Sequence, residues 1–178
     1  MTVRRQALVA ALLSASVVPD IAAAAGAAHP TFLGVYHDWA AFVRQVGSEK
    51  VCYTLSEPKV KEPAHVKRDP AYFLINDWPG RRSRGEAEIV PGYRYRDGST
   101  VTVKIGNDTF DFFTKNERDA GGAWVLNPAD QKRLLRAMRS GVTATVAGTS
   151  RRGTVTRDVY GLSGVGDALD RIHQACGM

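Results

Sequence analysis

The side chains able to do chemistry are few. The chain has 178 residues, among them four histidines and two cysteines. A metal centre needs His, Cys or carboxylates at short, regular spacing. His29, His37, His65 and His173 show no H-x-x-x-H pattern, and no second cysteine accompanies them. His37-Asp38 with a distant serine can be drawn as a nucleophilic triad, but no G-x-S-x-G or comparable context frames one. Glu86 and Glu88 are two apart, so a strand turns both to one face. Paired carboxylates can do acid–base work, but a solvent-facing strand edge is the plainer explanation of this pair. Gly161, Gly164 and Gly166 lack the G-x-x-x-x-G-K-[ST] pattern of a phosphate loop and read as a strand exit and helix entry. Trp39, Trp78 and Trp124 could stack on sugars or fill a core. Trp39, inside Tyr36-His37-Asp38-Trp39-Ala40-Ala41-Phe42, reads as core. Trp78, just ahead of Arg81, Arg82 and Arg84, reads as the exposed one and makes a candidate surface contact with those arginines. The reading is therefore of a protein without catalytic residues, metal or cofactor.

Cys52 and Cys176 take their meaning from the N-terminus. Arg4 and Arg5 precede an uncharged apolar run, Ala7 to Val18, which Pro19-Asp20 ends before a small-residue stretch, Ala22 to Ala28. That order is a secretory signal, expected over residues 1–28. The run is shorter than the roughly 20 residues a membrane-spanning helix needs. Both thiols would then reach an oxidising compartment, where two cysteines without C-x-x-C read as one structural bridge. Free buried thiols, or one reactive thiol, are the competing readings.

Composition bounds the rest. Residues 29–178 are the size of one ordinary domain. Losing Arg4, Arg5 and Asp20 with the signal would lower the formal charge from +6 to +5. The basic residues are dispersed, from Lys59 and Lys61 to Arg151, Arg152 and Arg157. Such an excess outside the cytoplasm favours anionic surfaces, such as lipid headgroups or acidic glycans, or an unidentified protein partner. A solvated surface is the plainer explanation. Nucleic acid is not expected, and neither is a stable transmembrane segment in the mature chain.

The elements that would carry these residues are mostly strands. Val101, Val103 and Ile105 alternate with polar residues, Gly106-Asn107 turns the chain, and Phe110 and Phe112 share a face in the return. Val142, Ala144 and Val146 alternate likewise. Arg151-Arg152-Gly153 turns, and Thr154 to Leu162 returns with a broken alternation that suggests a bulge. Further strand candidates are Phe32 to Val43, Lys50 to Leu55, Ala71 to Asn76 and Glu86 to Val90. Ser56 to Pro70 and Asp77 to Gly92 read as loops or irregular edges. Asn127-Pro128 reads as the cap and first residue of a helix that Gly141 ends. Val165, Ala168, Leu169, Ile172 and Cys176 form an apolar stripe on a second helix. Many short strands with few helices predict a mainly β, antiparallel fold.

Five stretches occur in order: Asp38-Trp39, Cys52-Tyr53-Thr54-Leu55-Ser56-Glu57-Pro58, the hairpin Ser99 to Thr114, Gly148-Thr149-Ser150-Arg151-Arg152-Gly153-Thr154, and Asp158-Val159-Tyr160-Gly161-Leu162-Ser163-Gly164. The last leads into a helix that ends in Cys176. Taken together they resemble the invasion-associated locus B family of exported bacterial proteins. Two positions depart from some members: His37 stands where they carry Gly, and Val165 where they carry an aromatic. The resemblance implies an immunoglobulin-like β-sandwich with two short helices. It also implies residence in the periplasm or at the outer membrane, an association with host-cell invasion, and no catalytic residues. A periplasmic cell-wall or carbohydrate-binding module is the alternative.

Overall fold

The structure, a computed structural model, describes residues 29–118 and 120–178. The expected secretory signal lies outside the described residues. The strands are β1 (Thr31–Tyr36), β2 (Trp39–Val46), β3 (Glu49–Ser56), β4 (Val60–Glu62), β5 (Tyr72–Trp78), β6 (Ser83–Val90), β7 (Thr100–Ile105), β8 (Asp108–Glu117), β9 (Ala120–Val125), β10 (Thr143–Thr149) and β11 (Val155–Gly161). Helices α1 (Asp130–Ser140) and α2 (Val165–Cys176) complete the fold. The fold is mainly β and antiparallel, with two helices, one of them C-terminal. All eleven strands join one hydrogen-bonded sheet in the order β1-β2-β3-β5-β6-β9-β8-β7-β10-β11-β4. The pairing does not divide into the two separate sheets that define a sandwich.

The sheet curls until its distant strands meet. Trp39 on β2 donates its indole N–H to the Gly161 carbonyl on β11 at 3.0 Å. Phe73 on β5 packs edge-on against Tyr160 on β11, with ring centroids 5.6 Å apart. One core fills the enclosed space. Period-two alternation turns Phe73 and Ile75, Ala87 and Ile89, Val101 and Val103, Phe110 and Phe112, and Ala144 and Val146 inward, all of them buried. Leu134 and Met138 of α1 and Leu169 and Ile172 of α2 close its open sides.

Helix α2 runs over the residues its apolar spacing predicts. It starts at Gly164, whose φ is +82° and whose place a Cβ could take only 2.1 Å from the Tyr36 carbonyl oxygen. Only glycine fits both demands. Helix α1 begins later than the Asn127-Pro128 signal suggests, with Ala129 at its N-cap. Asn127 accepts the Ala129 N–H on its side chain at 3.1 Å and the Asp130 N–H on its carbonyl at 2.9 Å. Those bonds make a turn ahead of the helix, so the capping residue serves the turn instead.

Four other expectations change. Phe32 to Val43 is two strands, because His37 (φ +51°) and Asp38 turn the chain between β1 and β2. The return strand β11 has no bulge, since Thr143↔Gly161 to Thr149↔Val155 pair without a shift. Its alternation is intact but disguised, because the residue buried between Thr156 and Tyr160 is a charged one, Asp158. The stretch from Asp77 to Gly92 is ordered as the end of β5, one 3-10 turn, Pro79–Arg81, and then β6. Within Ser56 to Pro70, the short strand β4 pairs with β11.

Candidate functional site

The outer face of β6, β9 and β8 carries a groove of about 690 Å³. Register sets its chemistry. Glu88 on β6 lies opposite Trp124 on β9, and Trp124 lies opposite Phe113 on β8. One row across three strands therefore runs carboxylate, indole, phenyl. The two rings stand 5.9 Å apart and tilted by 30°. Gly122 leaves the floor without a side chain, and the Trp124 ring folds down there, within 2.3 Å of where a Cβ would stand. Glu86 continues the acidic edge, Arg84 reaches the same groove, and Lys115 pairs with Glu117 at 2.7 Å.

Glu88 is half-buried. Burial pushes its carboxyl above the ordinary value and the charge of Glu86 adds to that, while the hydrogen bond from Asn76, at 3.0 Å, opposes both. An aromatic floor beside hydrogen-bonding carboxylates suits a polar ligand with apolar faces, such as a sugar. Glu86 and Glu88 share one face of β6, as their spacing predicts. Strand β9 has no signal in the sequence, because Ala120-Gly121-Gly122-Ala123 carries little strand propensity. The signal for the groove was Phe113, whose outward position follows from the alternation that buries Phe110 and Phe112.

The structure brings the Trp78 cluster only partly together. Trp78 is half-buried on β5, and the Arg81 guanidinium lies 4.3 Å from its ring centroid. Arg81 is in turn forked onto Glu49 at 2.9 and 2.5 Å, which lowers the Glu49 carboxyl's pKa. Arg82 sits in the left-handed backbone region at φ +52°, ending the 3-10 turn. Of the four, Arg84 alone lines the groove. Trp39 is buried in the core. His37 is exposed at a turn, and its neighbour Asp38 pairs with Lys59 at 2.9 Å. Among the described residues, no three His, Cys, Asp or Glu side chains gather to hold a metal.

Cys52 on β3 and the last residue of α2, Cys176, form a disulfide with their Cα atoms 5.9 Å apart. Two buried polar pairs, one of them the Arg68–Asp158 ion pair, leave no motif in the sequence. Asp77, opposite Cys52 across β3 and β5, meets His173 Nδ1 at 2.6 Å and accepts the Gly85 N–H at 2.7 Å. Asp158 accepts two hydrogen bonds from Arg68, one of them 2.8 Å, and Arg68 also donates to the Pro91 carbonyl at 2.9 Å. Partners 96 and 90 residues apart leave no local trace in a sequence. Both pairs fasten elements: Asp77 holds α2 against β5, and Asp158 holds the segment before β5 onto β11.

No protein-family model matches the chain, and no curated protein does. Among solved structures, the chain is similar to the crystal structure of invasion associated protein B from Bartonella henselae. The likeness covers 82% of this chain and 98% of that one, at 13% identity and a TM-score of 0.57. The shared property is the fold.

Proposed function

We propose that this chain is an exported, non-enzymatic protein of the bacterial envelope, of the invasion-associated locus B kind, acting through surface contacts. The backbone likeness carries this reading, because it spans nearly all of the neighbouring structure. The ordered motifs from Asp38-Trp39 to Cys176, and a C-terminus bridged to β3, support it. Among the described residues no helix is long and apolar enough to cross a membrane. The proposed compartment is the periplasm or outer surface of a Gram-negative cell, with residues 1–28 removed. Fractionation of the native cell, with mass mapping under non-reducing conditions, tests it. The expected result is an envelope protein lacking residues 1–28 and bridged between Cys52 and Cys176. An intact, reduced chain in the cytoplasm would overturn the proposal.

The groove favours a second reading, a cell-wall or carbohydrate-binding module. Trp124 and Phe113 form its stacking floor, Glu86 and Glu88 its hydrogen-bonding edge, and Arg84 its rim. The nearby contact of Trp78 with Arg81, with exposed Arg82 beside it in the chain, would extend it. Retention on peptidoglycan or acidic glycan columns should fall in Trp124→Ala, and less in Trp78→Ala. Equal retention of the wild type and both variants would remove this reading.

A further inference from the structure

A second cleft, of about 650 Å³, lies across the sheet order from the groove, near the β10–β11 turn. Besides Arg68, four cations line it: Lys67 before β5, Arg94 between β6 and β7, and Arg151 and Arg152 in the turn. Among the described residues none of the four forms an ion pair with a carboxylate, and Asp69 is the one acidic residue of the lining. Arg68 also lines it, but Asp158 holds that charge. Arg94 is half-buried, and its Nε–H is buried without an acceptor.

The cations stand on fixed backbone. Arg151 N–H donates to the Arg94 carbonyl at 2.8 Å, Ser150 N–H to the Thr154 carbonyl at 2.8 Å, and Arg96 N–H to the Thr149 carbonyl at 2.9 Å. Tyr95 bridges to Ser150. The turn and the Arg94 segment are therefore tied together. Like charges held close repel one another, and a multivalent anion relieves that repulsion. Three of the four are arginines, whose planar forks match phosphate oxygens in pairs.

We propose that this cleft binds a phosphate group carrying two or more negative charges, either on a soluble diphosphate or on a lipid headgroup. The inference rests on the cleft alone and not on the compartment or the groove. Calorimetry with inorganic pyrophosphate, and co-sedimentation with phosphatidylcholine vesicles with and without phosphatidic acid, test the two sources. Arg151→Ser/Arg152→Ser changes an exposed turn. Lys132→Ser/Arg136→Ser removes the same charge from exposed positions on α1 and serves as the control. The expected result is saturable binding of one probe, weakened at least tenfold in the turn variant and less than twofold in the control. Pyrophosphate binding assigns a soluble ligand; sedimentation with phosphatidic acid alone assigns a headgroup. Failure of both probes to bind the wild type, or equal weakening in both variants, overturns the proposal.

Discussion

Breaking the bridge between Cys52 and Cys176 tests how the C-terminal helix is held. The cysteines are 124 residues apart, so the bridge closes most of the described chain into one loop. Loop-closure entropy for that span is worth about 5 kcal/mol at 25 °C, and native strain or residual unfolded structure lowers the measured figure toward about 3. The apolar face of α2 opposes undocking. Val165, Leu169 and Ile172 are 1%, 0% and 0% exposed, and each contributes roughly 1.5–3 kcal/mol by burial. The helix should therefore stay docked when the bridge is cut, while the unfolding midpoint falls. Urea unfolding of the wild type, Cys52→Ser, Cys176→Ser and the double variant measures the loss. With a slope of about 2 kcal/mol per molar, the midpoint should drop by roughly 1.5–2.5 M. Each single change already removes the whole bridge, so the double variant should be no less stable than the weaker single one. Losses that add would refute the pairing. Loss of amide protection in α2 well before global unfolding of the double variant would refute the claim that packing holds the helix.

Arg68→Ala leaves Asp158 buried without its partner and should destabilise by about 3–5 kcal/mol, whereas Arg68→Met/Asp158→Leu should recover much of that; chemical denaturation of the three variants checks it. Gly164→Ala puts a Cβ against the Tyr36 carbonyl at positive φ and should cost about 2–4 kcal/mol, read from the thermal midpoint. Glu88 titrates above its ordinary value when folded, so between its unfolded and folded pKa the native state binds more protons than the unfolded chain. Stability should consequently fall as pH rises through that window, and Glu88→Gln should flatten the slope in denaturation curves taken across the acid range. An unchanged slope would mean that Glu88 is not the group responsible.

Legibility in the sequence tracked how local each cause was. The β7–β8 hairpin follows from alternation and one turn, and α2 from a single apolar stripe, so both could be read from a dozen neighbouring residues. Gly141 was correctly placed at the end of α1, but for a reason the sequence hides. Its φ is −82°, and a Cβ there would meet Ile105 at 2.5 Å, so space and not backbone handedness selects glycine. Strand β9 was invisible because Gly121 and Gly122 are there to admit neighbours. Gly121 lies under the Tyr93 carbonyl and Gly122 under the Trp124 ring. The basic cleft needs three segments distant in the chain, so its arginines read as scattered surface charge. Trp78 looked exposed because its cover, Arg81, follows it in the sequence as an apparently free cation.

The joining of β2 to β11 and of β3 to α2 imposes an order of events on synthesis. Strands β2 and β3 take their final places only when partners 122 and 124 residues further along the chain are present. Trp39 waits for Gly161, and Cys52 for Cys176. Such long-separated contacts form slowly, because a long loop must close before either contact forms. During that interval Cys52 has only one possible partner in its own chain, since the molecule contains two cysteines. Scrambled intramolecular bridges therefore cannot arise. The error left open is a bond to the Cys52 or Cys176 of another unfinished molecule, so misassembly should rise with the concentration of nascent chains and not with time alone.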